Sequence, residues 1–360
     1  MPIQSVQFTG FRNLRPLQLE LAPGLNLFSG ANAAGKTSFL EALHILGRAR
    51  SFRTRQLDQA ITHGEAGFQL GARLRTGSGR RIPVGIARQG GRLEARIDGQ
   101  PTRQLSELAT LFPLHWMGGN LHGLIEDGPA IRRQFLDWGL FHVKQDYIPV
   151  WKSFRKRLKQ RNAALRKGLD SKEITAWDRA LVADGEALDL ARGEYIQALE
   201  PALRVLMQEY LPAADTLALS YRRGWPDRET WHEVLIRQRS LDRNHGFTHS
   251  GPQRADFQIQ YQGRAVAEIL SRGQQKLLVI GMRLAQARVL KNIRGLSSLF
   301  LLDDLGAELD IENQLRILHE LVGLQAQVCA TAIELPPLDT LLRDQSRLFH
   351  VKHGALQEVV

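Results

Sequence analysis

Gly30-Ala31-Asn32-Ala33-Ala34-Gly35-Lys36-Thr37 fits the pattern G-x-x-x-x-G-K-[ST], and no other stretch constrains the chain so tightly. Before it, Val6 and Phe8, then Leu17, Leu19 and Leu21, then Leu25 and Leu27 alternate with other residues, which predicts three short strands. After it, Phe39, Leu40, Leu43 and Leu46 form the one-sided stripe of an amphipathic helix that Gly47 can close. A strand, a glycine loop and a helix in that order let backbone N–H groups curl around phosphate oxygens, and the helix macrodipole adds positive charge there. Lys36 is then expected to reach the β and γ phosphates and Thr37 to ligate Mg²⁺, with Ser38 beside it at the head of the helix. The competing reading is a glycine turn that happens to hold a lysine and a threonine.

Such a loop needs a carboxylate at the end of a neighbouring strand to hold the metal and orient water. Leu299-Phe300-Leu301-Leu302-Asp303-Asp304 supplies two, because four consecutive apolar residues suit a strand covered on both faces. Asp303 is assigned to the Mg²⁺ shell and Asp304 to the attacking water as general base. A capping pair after a core strand is the plainer alternative. A third element, Ser271-Arg272-Gly273-Gln274, opens the helix that carries Leu277, Leu278, Ile280 and Leu284. Its N-terminus is a second anion site, so Ser271, Gly273 and Gln274 are expected to touch the γ phosphate held by another copy of the chain. Gly306-Ala307-Glu308-Leu309-Asp310 can line the same interface.

Residues 68 to 100 alternate again between glycine turns, as an antiparallel sheet does. Past Pro129 long helices are predicted: Trp151, Phe154, Leu158 and Leu165 form one stripe, and Trp177, Leu181, Leu188, Tyr195 and Leu199 another, so that two antiparallel helices can pack together. Between Lys152 and Lys167 there are eight basic residues and no acid, either a solvated face or a surface for DNA. Residues 222 to 251 lack periodicity and read as a junction or loop, after which the α/β pattern resumes. The expected division is therefore a head of residues 1–120 and 251–360 with a helical lobe and arm, 121–250, inserted in it.

The chain is 360 residues long and carries 48 Lys and Arg against 37 Asp and Glu, a net charge of +11 that favours a polyanionic partner such as nucleic acid. The apolar run at Leu299 to Leu302 is far short of the ~20 residues of a membrane span. Met1-Pro2-Ile3-Gln4-Ser5-Val6 lacks the character of a signal peptide, and Cys329 has no cysteine partner; a reducing, cytoplasmic location is expected.

Together the glycine loop, the aspartate pair and the Ser-x-Gly-Gln turn resemble the head of the ABC and SMC ATPase superfamily. More narrowly, Leu270 to Lys276, Ser250-Gly251-Pro252-Gln253-Arg254-Ala255-Asp256 and the stretch from Gly128 to Val143 resemble the RecF family of bacterial recombination mediators, over essentially the whole chain. The resemblance implies an α/β fold: an ABC/SMC-type P-loop head, a mixed sheet with a parallel core, plus a helical second lobe with a short antiparallel arm. It further implies weak, DNA-stimulated ATP hydrolysis with Mg²⁺ and an ATP-dependent homodimer. The implied partners are double-stranded, gapped or junction DNA, with RecR and RecO, for loading RecA on single strands. A transporter ATPase subunit or a small-molecule kinase would share the loop; the basic arm speaks against the first and the Ser271 turn against the second. Departures from the family pattern also stand out. Asp304 occupies the place where most relatives of the superfamily have glutamate. Thr331 follows Val328-Cys329-Ala330 where many have a histidine, and is the candidate for sensing the γ phosphate. Met117-Gly118-Gly119-Asn120 lies where a metal-linking glutamine would be sought. An arginine loop after the first helix has Arg50 and Arg53 as its candidates, with a plain solvated arginine as the other reading.

Overall fold

The computed structural model describes residues 1–119, 121–169, 171–306 and 309–359. They group into two compact units, Met1–Asn120 with Gly295–Val360, and Leu121–Arg294.

In chain order, the first unit begins with β1 (Ile3–Thr9), β2 (Leu17–Glu20), β3 (Leu25–Ser29), α1 (Lys36–Arg48), β4 (Gly67–Arg75), β5 (Arg81–Gln89), β6 (Arg92–Ile97), β7 (Gln100–Thr102), α2 (Leu105–Leu111) and β8 (Leu114–Met117). The second unit holds α3 (Gly123–Glu126), α4 (Pro129–Val143), α5 (Tyr147–Arg166), α6 (Ser171–Met207), β9 (Ala218–Arg222), α7 (Trp231–Arg237), α8 (Arg239–His245), β10 (Asp256–Tyr261), β11 (Arg264–Ala265), α9 (Val266–Ile269) and α10 (Arg272–Arg294). The chain then returns to the first unit with β12 (Leu299–Leu302), α11 (Ile311–Gly323), β13 (Gln327–Ala332), α12 (Thr340–Asp344), β14 (Ser346–Lys352) and β15 (Ala355–Val359).

Two six-stranded sheets build the first unit. One, in the order β2-β1-β4-β5-β6-β7, is antiparallel throughout. The other runs β15-β14-β3-β13-β12-β8, in which the five strands from β14 to β8 are mutually parallel and only β15 is antiparallel. The pattern Leu-Phe-Leu-Leu of β12 and Gln-Val-Cys-Ala-Thr-Ala of β13 is buried at every position, because both faces of these central strands are covered. Phe8, Phe28, Phe39 and Phe349 pack between the elements of this core, with the Phe28 and Phe349 rings stacked at 4.8 Å. The mixed sheet with a parallel core is as read from the sequence.

The second unit is held by α6, against which α5, α10 and α4 pack. The ion pairs Arg157–Asp184 and Arg161–Asp178 rise along α5 as they fall along α6, so the two helices are antiparallel. Trp177 departs from its expected stripe: it is 38% exposed, while Leu181, Leu188, Tyr195 and Leu199 are buried.

Three expectations are corrected. First, Gly47 does not close α1; Ala49 does, in the left-handed region at φ 51 with its N–H on the Ile45 carbonyl. Gly47 sits inside the helix because a Cβ there would come 3.0 Å from the Leu114 side chain. Second, residues 222 to 251 are not a loop, since they contain α7 and α8 and bury Trp231 completely. The signal was present: Thr230 and Glu233 form a reciprocal capping box, and Trp231, Val234 and Leu235 share a face. Third, residues 251–294 group with the second unit and not with the head, because α10 packs on α6 and β10 pairs with β9.

Candidate functional site

Parallel strands deliver their C-terminal ends to one edge, where open α/β sheets hold their ligands. In register, Ala332 of β13 lies opposite Ser29 of β3, and Ala330 lies opposite Leu302 of β12. The loop Gly30 to Gly35, Thr331 and the Asp303-Asp304 pair therefore emerge side by side. Asn32, Ala33 and Gly35 of that loop, with Thr331 and the aspartate pair, line a cavity of about 630 Å³ together with Lys36, Thr37, Ser38, Arg12, Asn13 and Arg53.

Within it, the Lys36 ammonium donates to the carbonyls of Gly30 (2.5 Å) and Ala31 (2.9 Å). The loop turns through Ala33 at φ 62 and Gly35 at φ 119. Gly30 is required by close approach, because a Cβ would fall 2.3 Å from the Val351 carbonyl oxygen. The Ala34 carbonyl accepts the N–H of Gly354 from the β14–β15 turn, which clips the loop to the sheet. Asn32 and Ala33 face the cavity.

The Thr37 hydroxyl donates to Asp303 Oδ1 at 3.0 Å, and the Thr331 hydroxyl donates to the same oxygen at 2.8 Å. Gly118 leaves room for that carboxylate: a Cβ on it would stand 2.9 Å from the Asp303 Cβ. The last residue of that segment, Asn120, lies outside the described residues. Asp304 is exposed and left-handed at φ 55, and its N–H donates to the Thr331 hydroxyl at 2.9 Å. Thr331 is 1% exposed, and its hydroxyl proton is given to Asp303.

Residues that the pattern alone did not mark complete the wall. Asn13 accepts from the Ser38 hydroxyl (2.8 Å) and donates to the Ala33 carbonyl (3.1 Å). Arg12 grips the buried Glu41 through Nε at 2.9 Å and Nη2 at 2.7 Å, and Ser51 donates to the same carboxylate at 2.5 Å. Arg53 lies 3.5 Å from Glu41 and lines the cavity, whereas Arg50 offers only its carbonyl, to His44. A buried acid four residues beyond Thr37 is the one sequence signal that pointed here.

Ser271, Gly273 and Gln274 belong to the second unit. Ser271 and Gln274 are reciprocally bonded at the head of α10, Ser271 N–H to Gln274 Oε1 at 3.0 Å and Gln274 N–H to Ser271 Oγ at 3.3 Å, and Gly273 is exposed beside them. Of the segment Gly306 to Asp310, Ala307 and Glu308 lie outside the described residues, and Asp310 caps α11.

The donor set fits a hard cation. A hydroxyl oxygen and a carboxylate 3.0 Å apart, with no histidine or thiol beside them in the lining, match Mg²⁺, which takes one or two protein oxygens and fills its shell with water and phosphate.

The sequence profile of the RecF/RecN/SMC N terminal domain matches residues 2–356. The DNA replication and repair protein RecF of Chromohalobacter salexigens is 41% identical over 359 residues, 99% of each chain. That of Thioalkalivibrio sulfidiphilus is 43% identical over 358 residues, again 99% of each. The fold is similar to that of the recombination mediator protein RecF-ATP in the RecFOR pathway, with a TM-score of 0.87 at 23% identity over 100% of this chain and 98% of that one. It is also similar to an Smc head bound to the C-winged helix domain of ScpA, with a TM-score of 0.61 at 12% identity over 100% and 97%. The head is thus of the ABC/SMC type, and full-length identity at this level decides the narrower question: the chain belongs to the RecF family.

Proposed function

We propose that this chain is a DNA-repair ATPase that binds ATP at the Lys36 loop, closes as a homodimer on duplex DNA at gaps or junctions, and reopens on hydrolysis. The names of its relatives support the repair role and, through the RecFOR pathway, RecR and RecO as partners; placing RecA on single strands belongs to the same proposal. No helix among the described residues is long and apolar enough to cross a membrane, and action in the cytoplasm is part of the same reading.

One observation carries the chemistry: the Thr37 hydroxyl and the Asp303 carboxylate meet at 3.0 Å beside a glycine loop whose lysine is folded onto its own carbonyls. When bound, Mg²⁺ offsets the charge that develops on the transferred phosphoryl group. Because Thr37 gives its proton to Asp303, its oxygen lone pairs stay available to the cation. Lys36 exchanges two neutral carbonyls for anionic phosphate oxygens, a stronger contact because both partners are then charged. Asp304 is exposed at the cavity and orients water; it is shorter than glutamate by one methylene, which suits slow turnover. Ser271, Gly273 and Gln274 are assigned to the γ phosphate of the second copy. ATP held between two copies stabilises the dimer by mass action, and DNA biases the same equilibrium.

DNA is assigned to the arm. Of the eight basic residues from Lys152 to Lys167, Arg161 is wholly buried and Arg157 pairs with Asp184, but Lys152, Arg155, Lys156, Lys159, Arg166 and Lys167 remain exposed on α5 and its C-terminus. Sedimentation with ATP, ADP or neither, with and without duplex DNA, tests the whole reading. ATP is expected to yield a dimer, Lys36→Met to remain monomeric, and Ser271→Arg to bind ATP without dimerising. Dimerisation of Lys36→Met with ATP would overturn the loop assignment, and normal dimers of Ser271→Arg the role across the interface.

A further inference from the structure

Three consecutive residues after β12 are fastened to one residue of β13. Thr331 donates its hydroxyl proton to Asp303 Oδ1 at 2.8 Å, accepts the Asp304 N–H on the same oxygen at 2.9 Å, and accepts the Leu305 N–H on its carbonyl at 2.7 Å. The residue is 1% exposed, so water does not compete for these bonds. Asp304 is held meanwhile at φ 55, a left-handed conformation uncommon outside glycine, though aspartate enters it more readily than most residues. Thr37 and Thr331 both donate to Oδ1, and among the described residues no hydrogen bond goes to Oδ2, the oxygen that can face a cation.

We propose that Thr331 is a positioning residue for nucleotide hydrolysis, acting through the two aspartates and not on the nucleotide. Its hydroxyl does two jobs that no purely apolar side chain can do. It turns the Asp303 carboxylate so that one oxygen is consumed and the other is presented. It also ties the backbone of Asp304, which sets where that carboxylate projects into the cavity. A γ-phosphate sensor would need a proton to donate, and the only one Thr331 has is spent on Asp303. The inference rests on the nucleotide reading above and deepens it.

Thr331→Val keeps the volume and the strand propensity and removes only the hydroxyl. Two quantities are measured on the full chain: affinity for Mn²⁺ by electron paramagnetic resonance with a non-hydrolysable ATP analogue, and single-turnover ATP hydrolysis with Mg²⁺. Partners that orient a metal ligand are worth about 10- to 100-fold, so Thr331→Val is expected to lose that much in both. Binding of a fluorescent ATP analogue in EDTA is expected to stay at the parent level, and Thr331→Ser to restore both metal affinity and hydrolysis. Parent-like values for Thr331→Val overturn the proposal. So does loss of metal-free nucleotide binding in that variant, which would mean general damage, or a serine variant as impaired as valine, which would mean that the methyl group matters. A parent chain that binds ATP no better than Lys36→Met overturns the nucleotide reading itself and the proposal with it.

Discussion

Arg161 in the second unit and Lys36 in the first are both buried cations, 0% and 9% exposed, and they differ in what they are bonded to. Arg161 donates to Asp178 at 2.7 Å, to Asp242 at 2.8 Å and to the Thr248 hydroxyl at 2.8 Å. Asp178 also takes Arg239, and Asp242 takes the backbone and ring of His249, so each charge meets an opposite one, although Nη2 of Arg161 is left without a partner among the described residues. Lys36 holds only neutral carbonyls; at the same cavity the Asp303 carboxylate accepts two hydroxyls, while Asp304 is tied to Thr331 through its own backbone N–H and keeps its side chain exposed. A closed network of charges is architecture; a cation and two carboxylates kept apart around a cavity are capacity for a ligand that brings both phosphate and metal. Burial alone does not separate the two.

The comparison breaks first at Arg161. Removing one partner of a buried ionic cluster strands the others, so Arg161→Ala is expected to lower unfolding free energy by about 3–5 kcal/mol in urea titration. A loss below about 1 kcal/mol would show that the cluster is not closed. The next effect lies in the first unit. Burial, and secondarily the charge of Arg48, lower the pKa of His44 from 6.5 to about 4, against the opposing bond to the Arg50 carbonyl. The unfolded chain therefore binds more protons between these values, so stability is complete above 6.5 and falls as pH drops through the window towards 4. His44→Gln should flatten that slope, worth up to about 3 kcal/mol, in melting curves from pH 7 to pH 4. Thr230→Ala removes one side of the capping box and is expected to cost about 1 kcal/mol. Lys36→Met should move the stability of the nucleotide-free chain by less than about 1 kcal/mol, and what it removes is the stabilisation that ATP adds. If it unfolds the chain as Arg161→Ala does, the distinction between the two units collapses.

How much of this was legible depended on the range over which each signal acts. The Lys36 loop and the Asp303 pair were readable because their chemistry is packed into a few consecutive residues flanked by clear strand and helix patterns. The helices from Trp231 to His245 were missed because each is only seven residues long, too short for periodicity to register, and the box from Thr230 to Glu233 was the signal to weigh. Residues 251–294 were placed with the head because their strand and helix patterns look like its own; only the packing of α10 on α6 shows which core they fill. The basic run of α5 read as one surface, but the acids that neutralise Arg157 and Arg161 are 27 and 17 residues away along the chain, on a different helix.

By itself, then, the order of residues determined the glycine loop between strand and helix, the aspartate pair after a buried strand, and the family. These are properties of short segments, where side-chain type and backbone freedom act on near neighbours. Tertiary structure alone decided that Thr331, 28 residues from Asp303, spends its proton on that carboxylate, that Glu41 gathers Arg12 and Ser51 at the cavity wall, and that Arg161 is interior. A hydroxyl or a guanidinium has no fixed role until a fold brings it a partner and excludes water, and which partner arrives is settled by strand register and helix packing.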